Sequence, residues 1–286
     1  MISIIIPVYK SSKYIKKCIQ SVLNNTYKNF EIIIIDDEST DNSISIIKEI
    51  NNYKIKVFSQ KKSGPGAARN LGIKKSIGEY IFFLDSDDVI NENTLELLID
   101  GIKDNDIIIG NYKIHYDNGV IEKFITPIDS KFNMFFESVT IWNRLYKKSF
   151  IIDNDISFEK IYQGEDRLFL ANLYIHNPKV ITIDDFIYNW LRHDTAEIST
   201  LTHLKDNSYF EGQVECMIKF KDILFEKINK KEQDLLLDHL RYSCFYLMDI
   251  LKNTDVSKCN IDKFNYFISS IKFEENMELY KKIFNK

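Results

Sequence analysis

The stretch EYIFFLDSDDVI, residues 79–90, begins apolar and ends with Asp85, Asp87 and Asp88, three carboxylates within four residues. Carboxylates this close repel and raise one another's pKa unless a cation lies between them. A divalent ion answers that need. Mg²⁺ and Mn²⁺ take oxygen ligands, commonly one or two carboxylates completed by substrate phosphates. An ion held between Asp87 and a diphosphate would offset the carboxylate charge and the charge developing on a departing phosphate. The plain alternative for Asp85 and Asp87 is an Asx-turn or helix cap. A second acidic pair, Asp36-Asp37, closes another apolar run, FEIIIIDD. Its plain reading is a loop ahead of a helix capped by Ser39 or Thr40. A third pair, Glu165-Asp166, opens QGEDRLFLANLYIH. Acidic residues stabilise a helix N-terminus, and a carboxylate there also suits a general base that accepts the proton of an incoming hydroxyl. His193, in WLRHDTAEIST, suits a metal ligand or, with Arg192, a diphosphate contact; an exposed loop histidine is its plain alternative.

The elements that must position these groups alternate through the first 110 residues. ISIIIPV is a β-rich run, and SSKYIKKCIQSVLNN repeats apolar residues at helical spacing. FEIIIIDD reads as a strand buried on both faces, STDNSISIIKEI as a capped helix and KIKVFSQ as a third strand. GAARNLGIKKSI, YIFFLD, NENTLELLIDGI and DIIIG continue as helix, strand, helix and strand. Such alternation predicts an α/β fold with a Rossmann-like, mostly parallel central sheet flanked by helices. In an open sheet of this kind ligands bind beyond the carboxyl ends of the strands. Asp36-Asp37 and Asp85–Asp88 both stand at such ends, so both clusters are expected to open onto one crevice. Further on, YKIHYDNGVIEKF predicts a hairpin turning at Asn118-Gly119, QGEDRLFLANLYIH a helix, and KVITIDDFIYNWLRH a strand pair. Beyond residue 203 only helical periodicity continues. The expected division is 1–202, with a nucleotide part to about 110 and an acceptor part to 202, followed by a helical region 203–286.

Composition sets outer bounds. A chain of 286 residues suits one large domain or a domain with an appendage. A net charge of −4 offers no argument for nucleic acid. Four cysteines without a CxxC pair fit a reducing compartment rather than a zinc or disulfide framework. The apolar N-terminus is too short for a signal peptide and lacks a basic leader. No apolar run approaches the roughly 20 residues that span a bilayer. A cytoplasmic protein is expected, in solution or at the inner face of the cell membrane.

SIIIPVY, FEIIIIDDESTDNS, SGPGAARNLGI, GEYIFFLDSDD, WNRLYKKSF and GEDRLF, in that order, resemble the family 2 glycosyltransferases. These are inverting sugar-nucleotide transferases of the GT-A fold. The resemblance covers roughly residues 1–200. It implies that Pro7, Val8 and Tyr9 line a nucleotide pocket and that Asp36 and Asp37 hold base and ribose. It implies Asp85 and Ser86 at ribose or sugar hydroxyls, Asp87 at Mn²⁺ or Mg²⁺, and Asp166 as general base. Arg69 stands where it reaches the sugar-phosphate, a surface arginine being the alternative. Glu165 is placed beside the acceptor. Trp142 suits stacking on an acceptor sugar, although a core aromatic is the stronger prior. Two positions depart from the family pattern: Glu38 replaces the glycine of DDGS, and Lys10 follows the tyrosine where asparagine is common.

The resemblance implies a nucleotide-sugar donor, UDP-linked, and a glycan or lipid-linked saccharide acceptor in bacterial surface polysaccharide, lipooligosaccharide or glycoprotein glycan assembly. Two other classes compete. FFLDSDDV also fits the D-x-D-x-[TV] signature of haloacid-dehalogenase-like phosphatases, with Asp85 as nucleophile and Asp87 as acid/base. That motif ordinarily follows the first strand, whereas three βα units precede it here. A non-catalytic sugar-nucleotide-binding module would lack a base or a metal ligand, and neither is missing. The helical region is open to three uses: adding to the core, forming a homodimer, or lying on a membrane surface.

Overall fold

The computed structural model describes residues 1–161, 163–193, 207–252 and 261–272. They group into two compact units, one of residues 1–160 with 176–195 and one of residues 161–175 with 196–286. The boundary expected at 202/203 lies outside the described residues. Among the described residues no helix is long and apolar enough to cross a membrane.

The first unit begins with β1 (Ile2–Val8), α1 (Ile15–Leu23), β2 (Phe30–Asp36), α2 (Ser43–Ile50), β3 (Ile55–Ser59), α3 (Pro65–Lys75) and β4 (Tyr80–Phe83). It continues with β5 (Val89–Ile90), α4 (Thr94–Ile102), β6 (Ile107–Tyr116), β7 (Ile121–Phe124), α5 (Lys131–Phe136), β8 (Arg144–Lys147), α6 (Lys148–Asp153) and β9 (Val180–Arg192). Among the described residues the sheet has nine strands in the order β3-β2-β1-β4-β8-β6-β9-β5, with β7 paired to β6. The half from β3 to β4 is parallel throughout. Continuous isoleucine runs explain it: every residue of β2 is buried, as helices covering both faces require. The register sets Val8 beside Asp36 and Asp36 beside Ser59 at the carboxyl ends.

At the opposite ends of these four strands stands the buried carboxyl of Glu31. It accepts from Ser3 Oγ (2.6 Å), Ile77 N–H (2.7 Å) and Lys56 Nζ (2.8 Å). Ser3 Oγ in turn accepts from Gly78 N–H at 2.9 Å. Burial opposes the charge, but these donors outweigh it and hold Glu31 below its ordinary pKa.

The other half of the sheet is mixed, and here two expectations are corrected. DIIIG and the first arm of the hairpin form one strand, β6, which turns through Gly119 (φ +84°) into β7. KVITIDDFIYNWLRH is a single strand, β9, rather than a strand pair. Its register against β6 shifts between Ile109 and Asn111, and Asn111 Nδ2 bonds Asp184 O at 2.9 Å. The acidic pair Asp184-Asp185 therefore marks a bulge and not a turn. The N-cap of α2 is Asn42, not Ser39 or Thr40, and it makes no side-chain cap bond. Asp41 Oδ1 accepts from Ser43 N–H (3.1 Å) and Ser43 Oγ (2.6 Å), while Ser39 N–H donates to Asp36 Oδ1 at 3.0 Å.

The second unit comprises α7 (Glu165–Ile175), α8 (Asn207–Leu224), α9 (Lys230–Lys252) and α10 (Ile261–Ser270). Apolar side chains such as Leu168, Phe169, Phe210, Phe220, Leu240 and Phe267 make its core. Gly164, just before α7, has φ +86°, and a Cβ there would lie 2.3 Å from Cys216 Sγ of α8. Both the backbone angle and the close approach require glycine.

Candidate active site

Beyond the carboxyl end of β4 the chain turns sharply, and Asp88 N–H bonds Asp85 O at 3.1 Å. Arg69 of α3 is buried at 4% exposure and its Nη2 lies 2.9 Å from Asp85 Oδ1, so Asp85 is held by a guanidinium. Ser86 Oγ shares a 2.5 Å hydrogen bond with Ser11 Oγ, tying the turn to the segment after β1. The Asp87 carboxyl is pushed up to about 6, by burial first and by the Asp85 charge second, with His193 pulling it back. Burial and the charges of Asp87 and Asp85 drive Asp88 well above the ordinary range. Two neighbouring acids that resist ionisation in this way form a site short of positive charge.

His193 follows β9. Its imidazole stacks on Tyr14 (4.2 Å between centroids), and its Nδ1 lies 3.7 Å from Asp117 Oδ1. Nε2 is buried and has no hydrogen-bond partner among the described residues. An orphaned imidazole nitrogen beside a carboxyl that resists ionisation fits a divalent cation. Among the described residues no three His, Cys, Asp or Glu side chains are gathered as a ready metal cage. Arg192 is turned to the aromatic rings of Tyr116 (5.6 Å) and Trp190 (5.7 Å).

At the ends of β1 and β2, Val8 is buried and Tyr9 is 39% exposed. Lys62 Nζ donates to Tyr9 Oη at 2.9 Å. That bond first pulls the phenol below its usual pKa, against the cost of burial, and the nearby Lys10 adds to the pull. Asp36 accepts one loop N–H, from Ser39. Asp37 is more committed: Oδ1 takes Gln60 Nε2 and Ser63 N–H, both at 2.8 Å, and Oδ2 takes Gly64 N–H at 2.9 Å. Its carboxylate builds the loop that leads into α3. The two departures, Lys10 and Glu38, both have positive φ, +52° and +66°. These are conformations that asparagine and glycine adopt at lower cost.

Trp142 is buried at 6% exposure, its indole stacked on Tyr188 (4.1 Å, 20°) and edge-on to Tyr112. The packing gives it a core role in place of the acceptor-sugar platform. In the second unit, Glu165 and Asp166 occupy the first turn of α7.

The profile of Glycosyl transferase family 2 matches residues 3–158, more than half of the 286. The chain is a family 2 glycosyltransferase. Glycosyltransferase GlyG of Streptococcus pneumoniae serotype 4 is 32% identical over 225 residues, 70% of this chain and 73% of that protein. The poly(ribitol-phosphate) beta-N-acetylglucosaminyltransferase TarS of Staphylococcus aureus is 27% identical over 261 residues, 84% of this chain and 44% of TarS. Against GlyA of S. pneumoniae and a poly(ribitol-phosphate) beta-glucosyltransferase of Bacillus spizizenii, the chain spans 30% and 38% of their lengths. The solved structure of S. aureus TarS 1–349 in complex with UDP superposes with a TM-score of 0.66 at 24% identity, covering 84% of this chain and 70% of that one. A mannosyltransferase of Pyrobaculum calidifontis in complex with GDP-Man and Mn²⁺ reaches 0.59 at 11% identity, covering 100% and 87%. These likenesses give the GT-A fold. Membership of the family removes the phosphatase alternative for this glycosyltransferase.

Two groups at the site carried no assigned role in the sequence. Tyr188 Oη donates to Asp88 Oδ2 (2.7 Å) and accepts from Asp85 N–H (3.2 Å). Asp88 Oδ1 accepts Leu191 N–H at 2.7 Å. Asp88 was visible as the third carboxylate, but a tyrosine a hundred residues away leaves no local signal.

Proposed function

We propose that this glycosyltransferase moves a sugar from a UDP-sugar, with inversion and with Mn²⁺ or Mg²⁺, to a hydroxyl of a glycan, polyol-phosphate or lipid-linked acceptor of a bacterial surface polymer. The observation that carries the reading is the pairing of Asp87, held up to about 6, with the orphaned Nε2 of His193. Asp87 and His193 are the residues to hold the ion, which when bound would offset charge on the leaving diphosphate. The relatives lend the substrates: TarS is solved with UDP and with UDP-GlcNAc, and two relatives are named for poly(ribitol-phosphate).

Pro7, Val8 and Tyr9 at the end of β1, with Asp36 at the end of β2, take the nucleoside. Asp85 and Ser86 face ribose or sugar hydroxyls, and Arg69 orients Asp85 through their ion pair. Asp37 supports this pocket through its loop bonds. Asp166 is the general base and Glu165 lies beside the acceptor. The amino end of α7 favours the ionised form that a base needs. Asp166 accepts the proton of the acceptor hydroxyl as its oxygen bonds the anomeric carbon; the bond from that carbon to the diphosphate oxygen breaks on the opposite face. The helical region, proposed to begin near 203, serves the acceptor or self-association.

The test is calorimetry with a panel of nucleotide sugars, with Mn²⁺ and with chelator. UDP and a UDP-sugar are expected to bind more tightly with Mn²⁺, and Asp87→Ala to remove the gain. Tighter binding of GDP- or dTDP-sugars, or UDP affinity indifferent to both metal and Asp87→Ala, overturns the reading.

A further inference from the structure

The metal reading leaves one question: what holds His193, on the far side of the sheet order from β4, in register with Asp87? The answer runs through groups that touch neither nucleotide nor ion. Asp88 is 2% exposed and Tyr188 fully buried. Asp88 belongs to the turn after β4; Tyr188 and Leu191 belong to β9, which ends at Arg192, one residue before His193. One carboxyl oxygen of Asp88 accepts the phenol of Tyr188 and the other accepts Leu191 N–H, both at 2.7 Å. The phenol oxygen closes the loop by accepting Asp85 N–H. Tyr188 is itself fixed by its stack on Trp142.

We propose that Asp88 is a positioning residue, which with Tyr188 clamps the Asp85–Asp87 turn to the end of β9 and so places His193 Nε2 against Asp87. This rests on the metal reading above. Three oxygen-centred bonds, all inside the protein, join the two backbone segments that carry the two metal-holding side chains. The imidazole is steadied in turn by Tyr14 on its face and Asp117 at Nδ1. The backbone end of β9 sets its height, and Asp88 holds that end.

Asp88→Asn keeps the size but leaves one carbonyl oxygen for two donors, so either Leu191 or Tyr188 loses its acceptor. Tyr188→Phe keeps the ring packed on Trp142 and removes the phenol alone. The experiment follows Mn²⁺ uptake in the presence of UDP by electron paramagnetic resonance, with spin-echo modulation from a bound imidazole nitrogen as the second readout. UDP affinity in chelator and the melting temperature are the controls. Wild type is expected to show nitrogen modulation that His193→Ala loses. Asp88→Asn should weaken Mn²⁺ affinity by about 10- to 100-fold, the range typical when a ligand's support is removed. Tyr188→Phe should weaken it severalfold. Both should diminish the nitrogen modulation and keep metal-free UDP affinity within about twofold. Folded variants with wild-type Mn²⁺ affinity and modulation overturn the inference, as does a wild type without nitrogen modulation. If Asp88→Asn does not fold, Tyr188→Phe decides by the same readouts. Asp87→Ala separates the two readings. Loss of Mn²⁺ uptake there, with both other variants silent, sinks this inference alone. A wild type that takes up no Mn²⁺ with UDP sinks the metal reading and this inference together.

Discussion

Arg69 Nη2 and Asp85 Oδ1 stand 2.9 Å apart, and the arginine is the more buried of the two. Desolvation therefore weighs more on the guanidinium than on the carboxylate. Asp85→Asn removes this charge from beside a buried cation, and breaking a buried pair costs up to about 3–5 kcal/mol. The expected result is a fall in melting temperature, smaller for Arg69→Met, which leaves a carboxylate 30% exposed for water to screen. Equal losses in the two variants would refute this asymmetry.

The pH dependence of the metal-free protein follows from Asp87. Its pKa rises from 3.8 to about 6 on folding, so the folded state holds that proton more tightly than the unfolded chain. Its contribution to stability is full below about 4 and is lost as pH rises through about 6. The size is at most about 3 kcal/mol for a shift of roughly two units. In Asp87→Asn this decline between pH 4 and 6 should shrink, measured by urea unfolding at fixed pH values. Mn²⁺ with UDP reverses the trend, because the ion competes with the proton; binding weakens as pH falls through 6.

Asp166→Asn keeps size and hydrogen-bonding capacity but loses basicity. Transfer should fall by at least the roughly 100-fold typical of a lost general base, with UDP and Mn²⁺ affinity unchanged within a few fold. Glu165→Gln should be milder. Near-normal turnover in Asp166→Asn would move the base to another carboxylate.

Gly164→Ala is expected to destabilise the protein by about 2–4 kcal/mol, from overpacking plus a left-handed backbone angle. Cys216→Ala should recover part of that loss by clearing the 2.3 Å approach, and the remainder reports φ +86°. Additive effects of the two substitutions in the double variant would show that the contact is not responsible.

Glu38→Gly should raise stability by about 1 kcal/mol, since glycine adopts φ +66° freely. It also removes the 3.3 Å contact with Lys62 N–H. A lower melting temperature would mean that this contact outweighs the backbone term.

The parallel half of the sheet was legible because its signals are local: apolar runs of four to seven residues, two of them ending in acids, separated by helical stripes. The mixed half was not. Asp184-Asp185 looks like a turn from the chain alone, and only pairing with β6 reveals a bulge closed by Asn111. β5 has two residues and exists because β9 lies beside it. At the site the acids announced themselves by type and spacing, as did His193. Their commitments did not: Asp37 serves a loop, Trp142 a core stack, and the partners of Asp88 come from β9. Those are long-range choices, and no periodicity encodes them.

Glu31 ties the amino ends of β1, β2, β3 and the entry to β4 through one carboxylate, and none of its partners reaches the carboxyl ends where the acids gather. Foundation and chemistry are thus written into opposite rims of the same four strands. On the function proposed above, a lineage can exchange residues along the carboxyl rim, and with them donor preference, while leaving this knot untouched. Libraries aimed at new donors belong in the loops after Val8, Asp36, Ser59 and Phe83, and Ser3, Glu31, Lys56 and Gly78 are the positions to leave alone.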